Sequence, residues 1–108
     1  MNPQMLQVLS EPNRLDIVEL LRTGAKSVNE ITQKLSLNQP QVSKHLRVLA
    51  DAGIVEVHPL AQQRYYQLSP KPFRELEIWL DRYKSIWEQR LSRLDMLIKK
   101  EVKNHGRK

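Results

Sequence analysis

Two back-to-back helix-capping signals, a change of apolar period after Gly53 and a long amphipathic run near the C-terminal end together predict the architecture. It is mainly α with a small β-hairpin: a winged helix-turn-helix of order α-α-α-α-β-β-α that dimerises through its terminal helices. Residues 1–71 hold the winged helix-turn-helix. Residues 72–108 hold a long dimerisation helix and a basic tail, as part of the same single domain.

The centre of this reading is residues 27–53. Ser27 followed by Glu30 is a capping box, and Val28, Ile31 and Leu35 fall on one face of the helix it opens. Leu37 plugs the turn. Asn38 with Gln41 makes a second box, and Pro40 sits in the first turn, where its missing N–H is tolerated. Val42, Leu46 and Leu49 form the next buried stripe. Gly53 stands where a left-handed C-cap is needed, with Ile54 as its apolar partner.

Upstream, residues 3–9 predict a short helix with Met5, Leu6 and Leu9 as its apolar face. Ser10 is expected to cap the next helix, whose core face is Leu15, Val18 and Leu21, flanked by Ile17 and Leu20; Gly24 ends it. Downstream, residues 54–58 and 64–68 alternate with period 2 and predict a hairpin with a loop over 59–63. Ser69-Pro70 then opens a helix running from about 72 to 103, over 40 Å at ~1.5 Å per residue. Phe73, Leu76, Leu80, Tyr83, Trp87, Leu91, Leu94 and Ile98 recur along it at three and four, widened by Ile78, Trp79, Ile86 and Leu97. That stripe is too long for one small head to cover, so pairing with a second copy is the economical expectation. A ligand groove is the alternative.

With the apolar stripe turned inward, Gln41, Ser43, Lys44, His45 and Arg47 occupy the flanks and outer face of the second helix. Amides, a hydroxyl, an imidazole and two cations are groups that read base edges and hold phosphates. Gln62, Gln63 and Arg64 fall at the tip of the hairpin, within reach of a phosphate or the minor groove. A helical hairpin with a merely solvated face is the competing interpretation of this stretch.

Composition narrows the classes. The chain has 108 residues, no cysteine and a net charge of +6. Without cysteine there are no disulfides, thiolate metal sites or thiol catalysis. The charge suits a polyanion such as double-stranded DNA, but it is unevenly placed. Residues 1–38 carry four cations and four anions, residues 39–69 three and two, and residues 70–108 eleven and six. The excess therefore lies in the tail, where Lys99, Lys100, Lys103, Arg107 and Lys108 crowd together. An architectural or non-specific nucleic-acid-binding protein using that tail is the alternative function. No Gly-rich phosphate loop, nucleophile motif or paired carboxylate suggests an enzyme. Ser43 and His45 diverge by ~200° on a helix and cannot act as a nucleophile–base pair. No membrane span or leader is apparent, and the expected compartment is the cytoplasm.

At this point the chain resembles the ArsR/SmtB winged-helix repressors. The matching pieces are LSEPNRLDIVELL (9–21), ITQKLSLNQPQVSKHLRVLADAGIV (31–55) and RYYQLSP (64–70), with QVSKHLRVLADAGIV the most specific. Residues 85–100 are further similar to members that lack metal sites, some encoded beside small partner proteins. The resemblance implies a homodimer on a palindromic operator, with Gln39, Gln41, Ser43, Lys44, His45, Arg47 and Arg64 facing DNA. It places the dimer interface on the terminal helices, at Met5, Leu6 and Leu9 and at Trp79, Tyr83, Ile86, Trp87, Leu91 and Leu94. Metal-sensing members carry Cys-x-Cys near the helix-turn-helix or Asp/His/Glu ligands on the last helix. This chain has no cysteine, and residues 72–104 hold no Asp-x-His or His-x-x-Glu pair. No metal or cofactor is expected. Release is expected to depend on something other than a thiolate-bound metal, with a nearby-encoded protein as a possible partner.

Overall fold

The computed structural model describes residues 2–105, and side-chain surroundings up to residue 102. The tail residues Arg107 and Lys108, and the side chains of Lys103 and His105, lie outside that range. The elements are α1 (Pro3–Leu9), α2 (Pro12–Leu20), a 3-10 turn (Leu21–Thr23), β1 (Lys26–Ser27), α3 (Val28–Leu35), α4 (Gln39–Asp51), β2 (Val55–Leu60), β3 (Gln63–Leu68) and α5 (Pro70–His105). The chain divides into two units, residues 1–74 and 75–108.

In the first unit, local chemistry sets the element boundaries. Both capping boxes form: Ser27 Oγ accepts from Glu30 N–H, and Asn38 Oδ1 accepts from Gln41 N–H at 2.9 Å. Between them Ser36 takes a left-handed conformation at φ 55°, which turns the chain from α3 into α4. Gly53, at φ 75°, closes α4. Ile54 N–H reaches back to Leu49 C=O at 2.9 Å and Gly53 N–H to Ala50 C=O at 3.0 Å. These are the two bonds of a Schellman motif, and its apolar contact pairs Ile54 with Leu49, both fully buried.

The core gathers a few side chains from each helix: Met5 and Val8 from α1, Ile17 and Val18 from α2, Ile31 from α3, Val42, Leu46 and Leu49 from α4, with Leu21, Ile54 and Val55. Three expectations need correction here. Leu15 is 44% exposed while Ile17 is buried, so α2 is rotated from the expected face. On α1, Val8 is buried and Leu6 is exposed. Ser10 does not cap α2. Its hydroxyl donates to Gln7 C=O at the end of α1, and Glu11 caps α2 by accepting from Arg14 N–H at 2.9 Å.

The sheet has order β1-β3-β2 and is antiparallel throughout. β1 was not foreseen: two residues carry no period. The hairpin strands extend further than expected, leaving only Ala61 and Gln62 between them. Ala61 supplies the positive φ (56°) that glycine would ordinarily supply, and it does so at the first loop position, as in a type II′ turn. Pro59 sits within β2, which is an edge strand, so its missing N–H leaves no ladder bond broken.

In the second unit α5 is a single helix. From Glu75 to Val102 every residue except Leu76 and Trp79 is exposed. Leu76, Leu80, Tyr83, Trp87, Leu91, Leu94, Ile98 and Val102 follow one another at four, three, four, four, three, four and four. The unit 4-3-4 repeats every eleven residues, or 3.67 per turn. A stripe of that period runs nearly straight along the helix. Trp79 and Tyr83 meet edge to face at 5.2 Å, and the Arg90 guanidinium lies 6.0 Å from the Trp87 ring centre. These local contacts stiffen the aromatic stretch.

Candidate nucleic-acid interface

The site is built on α4. Its buried seam, Val42, Leu46 and Leu49, holds the helix to the head and fixes which residues look outward. At ~100° per residue, Lys44 and Arg47 fall on the far side from that seam, and both are exposed. Gln39 and Ser43 are exposed on the flank that faces the hairpin. There a cleft of about 510 Å³ is lined by Ser43, Arg47 and Ala50 from α4, Val28 from α3, and Val57, Arg64 and Tyr66 from the hairpin. A shallower depression of about 240 Å³ adjoins it, lined by Asn29, Gln39, Gln62, Gln63 and Arg64, among others.

Arg64 borders both hollows. Its register explains this: Arg64 lies opposite Pro59 on β2, and the next pair on the same face is Tyr66 with Val57. The two guanidiniums, Arg47 and Arg64, stand on either side of the cleft, and no carboxylate lines it. The remaining polar lining consists of hydroxyls and amides. This is a surface suited to phosphate oxygens and base edges.

Two of the expected readers are altered by their neighbours. The Gln41 carboxamide oxygen accepts from Asn38 N–H at 3.3 Å in the capping box, which leaves its NH2 group to donate outward. His45 lies three residues after Val42 and four before Leu49, so it stands beside the buried seam. Its side chain is only 15% accessible, and Nδ1 lies 3.8 Å from the Glu11 carboxylate. His45 is thus less accessible than Lys44 and Arg47, which are exposed.

The structure brings in residues that sequence reasoning missed: Val28, Asn29 and Tyr66. Pairing of Lys26 with Tyr66 and of Ser27 with Tyr65 draws the start of α3 against β3, and this long-range pairing leaves no local signal.

On the opposite face of the hairpin, Glu56 accepts a hydrogen bond from Gln67 Nε2 at 3.1 Å and lies 3.4 Å from His58 Nε2. The Gln67 hydrogen bond, aided by His58 and Ser69 and opposed by partial desolvation, holds the Glu56 carboxyl below its ordinary pKa of 4.5.

The expected interface residues divide by unit. On α1, Met5 is buried in its own head, Leu9 is half-buried, and Leu6 is exposed. On α5, Trp79 is half-buried, whereas Tyr83, Ile86, Trp87, Leu91 and Leu94 are all exposed. Among the described residues no three His, Asp or Glu side chains are grouped to hold a metal ion, and no helix is long and apolar enough to cross a membrane.

Comparison with known proteins agrees with this geometry. Residues 11–57 match the family model described as bacterial regulatory protein, arsR family. The chain is 37% identical over 95 residues to the HTH-type transcriptional regulator Rv2034 of Mycobacterium tuberculosis, covering 88% of this chain and 86% of the relative. It is 40% identical over 65 residues to the biofilm growth-associated repressor of Agrobacterium fabrum, 60% of this chain and 56% of that one. Its fold matches the crystal structure of an ArsR family transcriptional regulator with a TM-score of 0.70 at 27% identity, over 80% of this chain and 94% of the other. The winged helix-turn-helix built around α4, together with these relatives, shows that the chain belongs to the arsR family of bacterial regulatory proteins.

Proposed function

We propose that the chain is a transcriptional repressor that binds double-stranded DNA sequence-specifically, as a homodimer, at a palindromic operator. The observation that carries this reading is the outward face of α4 beside an acid-free cleft that ends at Arg64. Laid in the major groove, α4 sets Gln39, Ser43 and the Gln41 NH2 against base edges, while Lys44, Arg47 and Arg64 hold phosphates. Gln62 and Gln63 at the hairpin tip reach the adjoining minor groove. Similarity to the biofilm growth-associated repressor of Agrobacterium fabrum supports the sign of regulation.

Duplication of the head follows from α5. Its exposed stripe is contiguous and aromatic-rich, the kind of surface that a monomer seldom leaves in water. A second copy supplies an identical stripe, and Tyr83, Ile86, Trp87, Leu91 and Leu94 are its centre. Leu6 and Leu9 are the residues α1 has left to offer a partner. Release runs through something other than a thiolate-bound metal, since the chain has no cysteine. A neighbouring gene product acting on the α5 stripe fits that requirement. The working compartment is the cytoplasm, where a bacterial regulator meets its DNA.

Selection of binding sites from a random duplex library with the purified protein tests the proposal. A two-fold symmetric sequence with half-sites about one turn apart, ~34–36 Å, is the expected product. Recovery of no preferred sequence, or of a lone half-site, overturns it.

A further inference from the structure

On α4 the exposed Gln39, Gln41, Ser43, Lys44 and Arg47 serve the DNA-facing reading. His45 does not, and it is the one side chain among the described residues whose buried polar atom, Nδ1, has no hydrogen-bond partner. A buried imidazole nitrogen without a partner is costly, and native structures retain such an atom for a reason. The acceptor facing it is Glu11 Oε2, at 3.8 Å. That same oxygen accepts from Arg14 N–H at 2.9 Å and so caps α2. Arg14 in turn donates through Nε to Val8 C=O at 2.7 Å, in the last turn of α1. Three helices of the head are thus tied together around one carboxylate.

We propose that His45 and Glu11 form a positioning pair: the imidazole keeps its proton on Nδ1, donates a hydrogen bond through it to the Glu11 carboxylate, and thereby refines the rotation of the recognition helix. The inference rests on the DNA-reading role proposed above for α4. Closing the contact from 3.8 Å to the usual ~2.9 Å takes a side-chain adjustment of less than ~1 Å. The lever is helix geometry. His45 and Ser43 lie ~200° apart around α4, so a hold on the His45 flank narrows where Ser43 and Gln39 face the groove. The buried seam already sets which face of α4 looks outward. A donor at position 45 aimed at a fixed acceptor narrows the angle that remains, which an aliphatic side chain there would not do.

The substitutions separate capping from positioning. Glu11→Ser keeps a good N-cap for α2 but withdraws the oxygen from His45. Glu11→Gln keeps an acceptor for both Arg14 N–H and His45 Nδ1–H at the original reach. The probes are the duplex selected by the wild-type chain and a random-sequence duplex of equal length. Glu11→Ser is expected to weaken binding to the selected duplex by about fivefold or more, with random-duplex binding within about twofold, and Glu11→Gln is expected to restore the preference. Long-range nitrogen–proton spectra of the full chain at pH 8 are expected to place the His45 proton on Nδ1. Selected-duplex affinity unchanged in Glu11→Ser, equal losses on both duplexes, or a proton on Nε2 overturns the pair. A wild-type chain with no preferred duplex defeats the DNA-reading proposal instead, and the proton position then decides the pair by itself.

Discussion

The head and the long helix solve the burial problem in opposite ways. In residues 1–74 short elements pool their side chains in a closed centre, and six of them, Ile17, Ile31, Val42, Leu46, Leu49 and Ile54, have no accessible surface. From residue 75 on, a helix of equal apolar content leaves Trp87 and Leu91 each 60% exposed. The first region satisfies itself within one chain. The second is patterned as regularly but leaves its stripe exposed along the described residues. Apolar periodicity therefore reports that a surface will be buried, without saying by what.

Substitutions in the two regions should consequently have different consequences, and the largest effect belongs to the head. Leu46→Ala removes a fully buried side chain from the seam of α4 and is expected to cost about 2–5 kcal/mol in urea unfolding. Leu91→Asp on the α5 stripe should leave the head folded, with an unchanged hairpin and core in amide spectra. It should shift the mass by light scattering from two chains toward one. If Leu91→Asp unfolds the head, or if Leu46→Ala is tolerated, the contrast between the regions collapses.

Within the head, the outer face of α4 can be divided further. Lys44→Ala is expected to weaken selected and random duplexes alike and to lower the salt slope by about one per head. Ser43→Ala is expected to lower the ratio between the two, with little change in salt dependence. Titrations at several salt concentrations read both quantities. Interchanged outcomes would reassign phosphate holding and base reading between these neighbours.

How much of this was legible in the sequence depended on how local the cause was. The capping boxes Ser27/Glu30 and Asn38/Gln41 and the turn at Gly53 are completed within a few residues, so the sequence alone shows them. The burial of Ile17 over Leu15 was not legible. Residues 15, 17, 18, 20 and 21 are all apolar and surround the helix, and tertiary packing chooses the face. β1 escapes notice because its pairing with β3 is made across some forty residues of chain. The hairpin was legible, but Pro59 and Ala61 disguise how far its strands run and how tight its turn is, since neither residue type announces a strand or a tight turn. The neighbour of His45 was not legible either: its spacing from Val42 and Leu49 puts it on a flank of α4, but that Glu11 of α2 lies 3.8 Å from it is set by tertiary packing.

The smallest predicted effect is at the hairpin. Glu56 has a folded-state pKa below its unfolded value of about 4.5. Its ionised form is therefore favoured in the fold. The stability it adds is present above the unfolded pKa and is lost as pH falls through the folded one. Glu56→Gln should accordingly show a shallower loss of melting temperature than wild type below about pH 4.5, and a small difference at neutral pH. An equal acid dependence in both proteins would remove Glu56 from the hairpin's stability.

The most direct test of a self-contained head presented in duplicate is the stoichiometry of the complex with DNA. Analytical ultracentrifugation of the full chain on its selected duplex should give two chains of 12.7 kDa per duplex. A single chain bound at saturation would contradict it.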